Sequence, residues 1–275
     1  MADNEQVRHV LSLSGGKDSA ALAIYMRDRQ ENMEYIFSDT LKELPETYEY
    51  LERIENYLGK PVIRLNGDLG FDHWYEMYGG MIPSNHRRWC TRALKLKPFE
   101  QFCGDAEIVN YVGLRADEDR TGYISHKPNI KPVYPFRDDG LVLRDIEEIL
   151  NSSGVGMPPY TKWGRTRSGC FFCFYQQKIE WVRLKETHPN LYEQAKAYER
   201  PYEKTGNCFT WSQGESLEQL ERPERMEQIK RDHIIRIQRI SDRRENTPLI
   251  EVFAQVDSAD IPDEDDEQGC LVCSL

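Results

Sequence analysis

The sequence of 275 residues lacks any apolar run approaching the ~20 residues of a membrane span, and residues 1–7 are too polar for a signal peptide. A cytoplasmic chain without membrane contact is expected. Positive charge is also in short supply: 36 Lys and Arg stand against 47 Asp and Glu, a formal net charge of -11. Such a balance does not favour broad nucleic-acid affinity. The deficit is uneven, because residues 257–275 hold Asp257, Asp260, Asp263, Glu264, Asp265, Asp266 and Glu267 with no Lys or Arg. The rest of the chain is only mildly acidic and leaves room for a local basic groove. No internal repeat is present. The seven cysteines are odd in number, which in a reducing compartment favours metal binding or sulfur chemistry over a disulfide framework. At this length, with 39% hydrophobic residues, the chain can bury one sizeable core with an appendage, or two cores.

The most informative stretch is Ser14-Gly15-Gly16-Lys17-Asp18-Ser19, between an apolar run ending at Leu13 and a helix-favouring run, residues 20–26. That order reads as strand, tight turn, helix. Gly15 and Gly16 can take positive φ and let a ligand approach the backbone. The first amides of the following helix lack internal partners and carry the positive end of its dipole. With the hydroxyls of Ser14 and Ser19 they form a cradle suited to phosphate. The spacing is not that of a Walker A loop, which needs four residues between its first glycine and the Gly-Lys pair.

Further strands are expected over residues 33–37, 61–65 and 107–114, and helices over 19–29, 45–58 and 90–102. Alternating strands and helices imply right-handed crossovers and a parallel sheet with helices on both faces, a Rossmann-like α/β fold. Ligands of such sheets sit at the carboxyl ends of the strands, where Ser14, Asp39 and Thr40 fall. Residues 71–89 read as an irregular, substrate-facing or surface loop, and 132–136 as the entry to a turn. The Gly-, Pro- and Ser-rich stretch 151–169 reads as a linker. The expected organisation is a nucleotide-binding domain over 1–150, a smaller, mainly helical cysteine-containing unit over 151–256, and an acidic disordered tail over 257–275. Cys170 and Cys173 are spaced to hold one metal or cluster, and Cys90 and Cys208 can complete four thiolates for iron–sulfur or zinc. Cys103 falls in the apolar pattern of its helix and reads as core. The basic residues of 230–244 read as a solvated helix face.

The hexapeptide resembles the PP-loop of the ATP pyrophosphatase superfamily. The resemblance extends through 37–47 (Phe-Ser-Asp-Thr-Leu-Lys-Glu-Leu-Pro-Glu-Thr), Trp89-Cys90-Thr91-Arg92 with Lys95, Gly113-Leu114-Arg115 with Glu118 and Arg120, and Gly169-Cys170-x-x-Cys173 followed by Trp181. In this order they are similar to the phosphoadenosine phosphosulfate (PAPS) reductase-like branch. The resemblance implies that Ser14, Gly15, Gly16, Lys17 and Ser19 hold ATP phosphates and Asp18 helps hold Mg²⁺. It places Asp39, Thr40 and Gly113 at the nucleotide, and Lys95, Arg115 and Glu118, with Lys17 and Asp18, in the catalytic set. It implies a four-iron cluster on Cys90, Cys170, Cys173 and Cys208, with zinc the alternative.

Two departures refine this. The Glu-Cys-Gly-type C-terminal motif of sulfonucleotide reductases is absent, and Asp39-Thr40-Leu41 stands where Asp-Thr-Gly is common. The latter form is more similar to the ATP pyrophosphatase of bacterial DNA phosphorothioation systems. That resemblance implies adenylation of a phosphate with release of pyrophosphate, DNA as acceptor, and a cysteine desulfurase and other modification-system subunits as partners. The alternatives are a phosphoadenylyl- or adenylyl-sulfate reductase of sulfate assimilation and a non-catalytic nucleotide-sensing subunit. Cys270 and Cys273, in the tail, are candidates to relay sulfur or electrons.

Overall fold

The computed structural model describes residues 7–65, 69–119, 127–201, 206 and 208–246, with side chains in the last helix described through Arg239. Arg120 and the tail with Cys270 and Cys273 lie outside the described residues. The described residues form two compact units, one through Phe171 and one from Phe172 onward.

The first unit is built on strands β1 (Arg8–Ser12), β2 (Met33–Ser38), β3 (Val62–Leu65), β4 (Ile108–Tyr111) and β5 (Ile130–Val133). They pair in parallel in the order β3-β2-β1-β4-β5. The connections run outward from β1 to β3, then return to the other side of β1. The carboxyl ends of β1 and β4 therefore flank the point where the strand order reverses, the usual ligand crevice of such sheets. The helices are α1 (Lys17–Met26), α2 (Pro45–Leu58), α3 (Phe71–Met77), α4 (Trp89–Thr91), α5 (Lys97–Cys103), α6 (Pro135–Asp138) and α7 (Leu143–Ser152). One sheet face packs on α1, α2 and α7 through a core that includes Leu11, Leu22, Tyr50, Ile54, Phe136 and Ile146. The other carries Val10, Ile36, Phe99, Cys103, Ile108 and Ile130. Pro45 opens α2, where its missing N–H costs nothing, and Gly59 ends it at φ 63°.

Several elements differ from the sequence reading. The turn expected at 132–136 begins instead as β5, with Pro132 paired opposite Asn110. The strand is at the sheet edge, where a residue without an N–H is tolerated. The stretch 71–89 is not wholly irregular: Phe71 and Tyr75 are buried one turn apart and close α3. The helix expected over 90–102 is interrupted, because Arg92–Leu96 between α4 and α5 is a π-helix, a widened turn frequent at functional sites. The first unit also extends past residue 150. Tyr50 donates to the Gly156 carbonyl at 2.8 Å and Trp163 to Glu46 at 3.3 Å, while Val155 and Tyr160 are buried. The Gly- and Pro-rich segment is thus packed chain rather than a linker. Cys103 is buried as core, and burial pushes its thiol up to about 11.

The second unit contains α8 (Lys178–Thr187), α9 (Pro189–Ala197), α10 (Leu217–Leu220) and α11 (Pro223–Asn246). Its core is aromatic: Phe172 stacks on Trp211 at 4.8 Å, and Trp181 and Tyr192 are fully buried. Lys230 of α11 pairs with Glu186 and Glu227, consistent with a solvated face. No described helix is long and apolar enough to cross a membrane.

Candidate nucleotide-binding site

The loop after β1 has the geometry the glycines suggested. Gly15 is left-handed at φ 71°, and a Cβ there would lie 2.5 Å from Cγ2 of Thr47. Gly16 precedes α1 in extended conformation with no side-chain cap, so its place is open to an external anion. A chain of hydroxyls frames it. Ser14 and Ser19 Oγ are 3.0 Å apart, the Ser14 amide donates to Ser19 Oγ at 3.1 Å, and Ser168 Oγ donates to Ser14 Oγ at 3.3 Å. These are small, donor-bearing groups around a helix N-terminus, a chemistry that fits phosphate.

Asp18 and Arg115 are brought together from positions 97 apart in sequence: Arg115 Nη1 donates to Asp18 Oδ1 at 2.7 Å. The same guanidinium meets Glu118 at 3.2 Å and, through Nε, Asp117 at 2.9 Å. Lys17 Nζ lies 3.6 Å from Asp18 Oδ2. Arg115 is therefore a clamp between the β4 loop and the loop before α1, held by three carboxylates. Despite its buried setting its pKa is raised, because the charges of Asp18 and Glu118 outweigh desolvation. Gly113 belongs to the same junction. A Cβ there would stand 3.0 Å from the Asp18 carbonyl oxygen, so this glycine permits backbone contact between the two loops. Asp18 offers hard carboxylate oxygens suited to Mg²⁺, shared with Arg115 and Lys17.

The segment after β2 is held from within. Asp39 Oδ1 accepts from the Leu41 amide and the Tyr48 hydroxyl, both at 2.8 Å. This turn places Leu41 at φ 61°, the sole non-glycine residue of positive φ among the described residues. The position is the one at which the sequence departs from Asp-Thr-Gly. A left-handed residue with a Cβ costs roughly 1–2 kcal/mol, partly offset by the chain entropy that leucine spares. Leu41→Gly is accordingly expected to raise stability by up to about 1 kcal/mol. A denaturant titration checks this, and a clear loss of stability would show that the Leu41 side chain matters more than its backbone strain.

Thr40 is fully buried. Its hydroxyl donates to Glu43 at 2.9 Å and lies 3.1 Å from Cys170 Sγ. Glu43 is also buried, and desolvation raises its pKa against the opposing effects of Lys95, Thr40 and Arg165. A narrow cleft is lined by Ser14, Ser38, Glu43, Lys95, Ser168 and Gly169, among others. Lys95 reaches it from the π-helical turn. Glu43, Arg165 and Ser168 were not among the sequence-derived site residues. Glu43 had a signal, as the acidic residue following Asp39-Thr40-Leu41. Arg165 and Ser168 had none, because their partners are distant in sequence.

Cys90 and Cys170 lie in the first unit, Cys173 and the exposed Cys208 in the second. Among the described residues, no group of three or more His, Cys, Asp or Glu side chains is arranged to hold a metal ion.

The chain is similar in part to known proteins. Residues 8–129 match the model of the phosphoadenosine phosphosulfate reductase domain. The chain is 26% identical over 215 residues to an uncharacterized protein of Methanocaldococcus jannaschii, covering 72% of this chain and 42% of that one. It is 27% identical over 113 residues to adenosine 5'-phosphosulfate reductase of Staphylococcus haemolyticus, covering 41% and 46%. The chain thus spans less than half the length of either curated relative. Among solved structures, PAPS reductase from Candida auris, in a phosphate complex, aligns with a TM-score of 0.49 at 13% identity, over 62% of this chain and 84% of that one.

Proposed function

We propose that this protein is an ATP pyrophosphatase that adenylates a phosphate for sulfur incorporation, with DNA as the acceptor. The observation that carries the reading is the cradle at Gly15 and Gly16, framed by Ser14 and Ser19. In it the loop amides, the two hydroxyls and Lys17 bind the β- and γ-phosphates. Lys95, which lines the adjoining cleft, stabilises charge developing on the reacting phosphate. The acceptor oxygen attacks the α-phosphorus and pyrophosphate leaves. The terminal sulfur of a persulfide formed by a cysteine desulfurase then attacks the acceptor phosphorus and displaces AMP, which carries away the former acceptor oxygen; a second thiol cleaves the resulting P–S–S linkage, freeing the phosphorothioate and leaving a disulfide. Mg²⁺, held through Asp18, would offset charge on the polyphosphate. An iron–sulfur cluster is an expectation of the resemblance alone and no step is assigned to it; iron and acid-labile sulfide content decide it.

A second reading, reduction of a sulfonucleotide, is favoured by the family match over residues 8–129 and by the similarity to a curated adenosine 5'-phosphosulfate reductase. Product analysis separates the two. Incubation with ATP and DNA is expected to yield AMP and pyrophosphate. Formation of ADP and phosphate would reject the pyrophosphatase. Release of sulfite from adenosine 5'-phosphosulfate and a thiol, with ATP left intact, would establish the reductase. Tight ATP binding without any product would identify a sensing subunit.

A further inference from the structure

The loop before α1 has a second wall that lies outside the family-matched segment and overlaps the Gly169-Cys170-x-x-Cys173 motif only at its end. It is the strap of residues 165–171. Arg165, only 1% exposed, holds its shape from within: Nε donates to the Arg167 carbonyl at 3.0 Å, and Nη2 donates to those of Gly169 and Cys170 at 3.1 and 2.7 Å. The strap is tied to the segment after β2 by an antiparallel bridge between Glu43 and Cys170 and by the Phe171 amide donating to the Lys42 carbonyl at 2.8 Å. Ser168 is thereby placed over the loop. Its hydroxyl donates to Ser14 and would lie 3.0 Å from a Cβ on Gly16.

The strap borders a polar cleft as well as packed chain. Ser168 and Gly169 line the same cleft as Ser14, Glu43 and Lys95. In that cleft Glu43 is 93% buried by its 7% exposure, yet its Oε2 has no hydrogen-bond partner. A buried carboxylate oxygen without a partner calls for a donor, such as an ordered water, so Glu43 marks a polar cleft but does not itself meet an anionic tail.

We propose that Ser168 binds the anionic tail of the nucleotide together with Ser14 and Ser19, and that Arg165 is the positioning residue that holds Ser168 there. This deepens the nucleotide-binding reading and rests on it only in requiring an adenosine nucleotide with an anionic tail, polyphosphate or phosphosulfate. The Ser168 hydroxyl turns its proton from Ser14 to a ligand oxygen, and Ser14 is freed to do the same.

The experiment is calorimetric titration of the full chain and its Ser168→Ala, Ser168→Thr and Arg165→Lys variants with ATP, adenosine 5'-phosphosulfate and adenosine. A hydrogen bond to a charged group contributes about 1.5–3 kcal/mol, or roughly 10- to 100-fold in affinity. Ser168→Ala is expected to weaken the anionic nucleotide by about tenfold or more and adenosine by less than about twofold. Ser168→Thr, which keeps the hydroxyl, should restore most of the loss. Arg165→Lys keeps the charge but lacks the fork that reaches several carbonyls, and should show the same selectivity for the anionic tail. Equal loss for adenosine and ATP, or no loss, would overturn the proposal, as would failure to bind either anionic nucleotide. Binding of adenosine 5'-phosphosulfate but not ATP, with the Ser168 effect intact, would reject the pyrophosphatase while sustaining the role of Ser168.

Discussion

Gly15→Ala is expected to reduce ATP affinity by about 100-fold while leaving the sheet folded. Two strains act together. An alanine at φ 71° costs roughly 1–2 kcal/mol, and its Cβ would stand 2.5 Å from Thr47 Cγ2, closer than real side chains come. Overpacking of this kind typically costs about 1–3 kcal/mol. The loop can relieve both by moving away from α2, so the strain becomes a penalty on binding: about 3 kcal/mol must be restored to recover the cradle, which is about two decades in affinity. The two contributions can be separated. Thr47→Ser deletes Cγ2 and keeps the hydroxyl, so Gly15→Ala with Thr47→Ser should retain only the backbone penalty, about a tenfold loss. Calorimetric titration with ATP measures each variant. Binding by Gly15→Ala within twofold of the parent would mean that the loop does not hold the nucleotide in the conformation described.

Arg115→Ala should be the most destabilising change at the site. It removes one cation from among Asp18, Asp117 and Glu118 and leaves their carboxylates facing one another. Breaking a buried pair costs about 3–5 kcal/mol; with the Asp18 and Asp117 side chains 26% and 38% exposed, solvent screening places the expected loss near or below the low end, at about 2–3 kcal/mol. For a chain of this size that corresponds to a fall in melting temperature of roughly 4–12 °C. ATP cleavage should fall further than stability does, because Asp18 loses its orientation. Arg115→Lys should not rescue it, since an ammonium cannot meet three carboxylates with a planar fork. Adding Asp18→Asn to Arg115→Ala should recover part of the stability and none of the activity. Wild-type melting by Arg115→Ala would exclude the clamp. The pairing also changes the expectation for Asp18→Ala: on a simple solvent-facing turn it would affect turnover alone, but here it also leaves Arg115 short of a partner and should lower stability measurably.

The sequence alone determined the elements whose cause is local. The apolar run into Gly15-Gly16 and the helix-favouring run after it set strand, turn and helix. Pro45 and Gly59 set the limits of α2. The helical spacing of Leu51, Ile54 and Leu58 set its buried face. Strands alternating with helices were enough to imply a parallel sheet, because only crossovers connect parallel neighbours.

Other features depended on residues distant in the chain. β5 was hidden because Pro132 argues against a strand until its edge position is known. That Gly113 packs against the Asp18 backbone is visible only in the tertiary structure. Leu41 gave no sign of a left-handed backbone, since that conformation comes from Asp39 holding the turn together with Tyr48. The strap was the least legible. Ser168 meets Ser14 across 154 positions, and the buried Arg165 that shapes it belongs to a stretch with the composition of a linker. Periodicity and propensity report interactions within a few residues. A hydroxyl delivered to the phosphate loop from so far along the chain is fixed by sheet topology and by the burial of Arg165 and Tyr160, which only the tertiary structure decides.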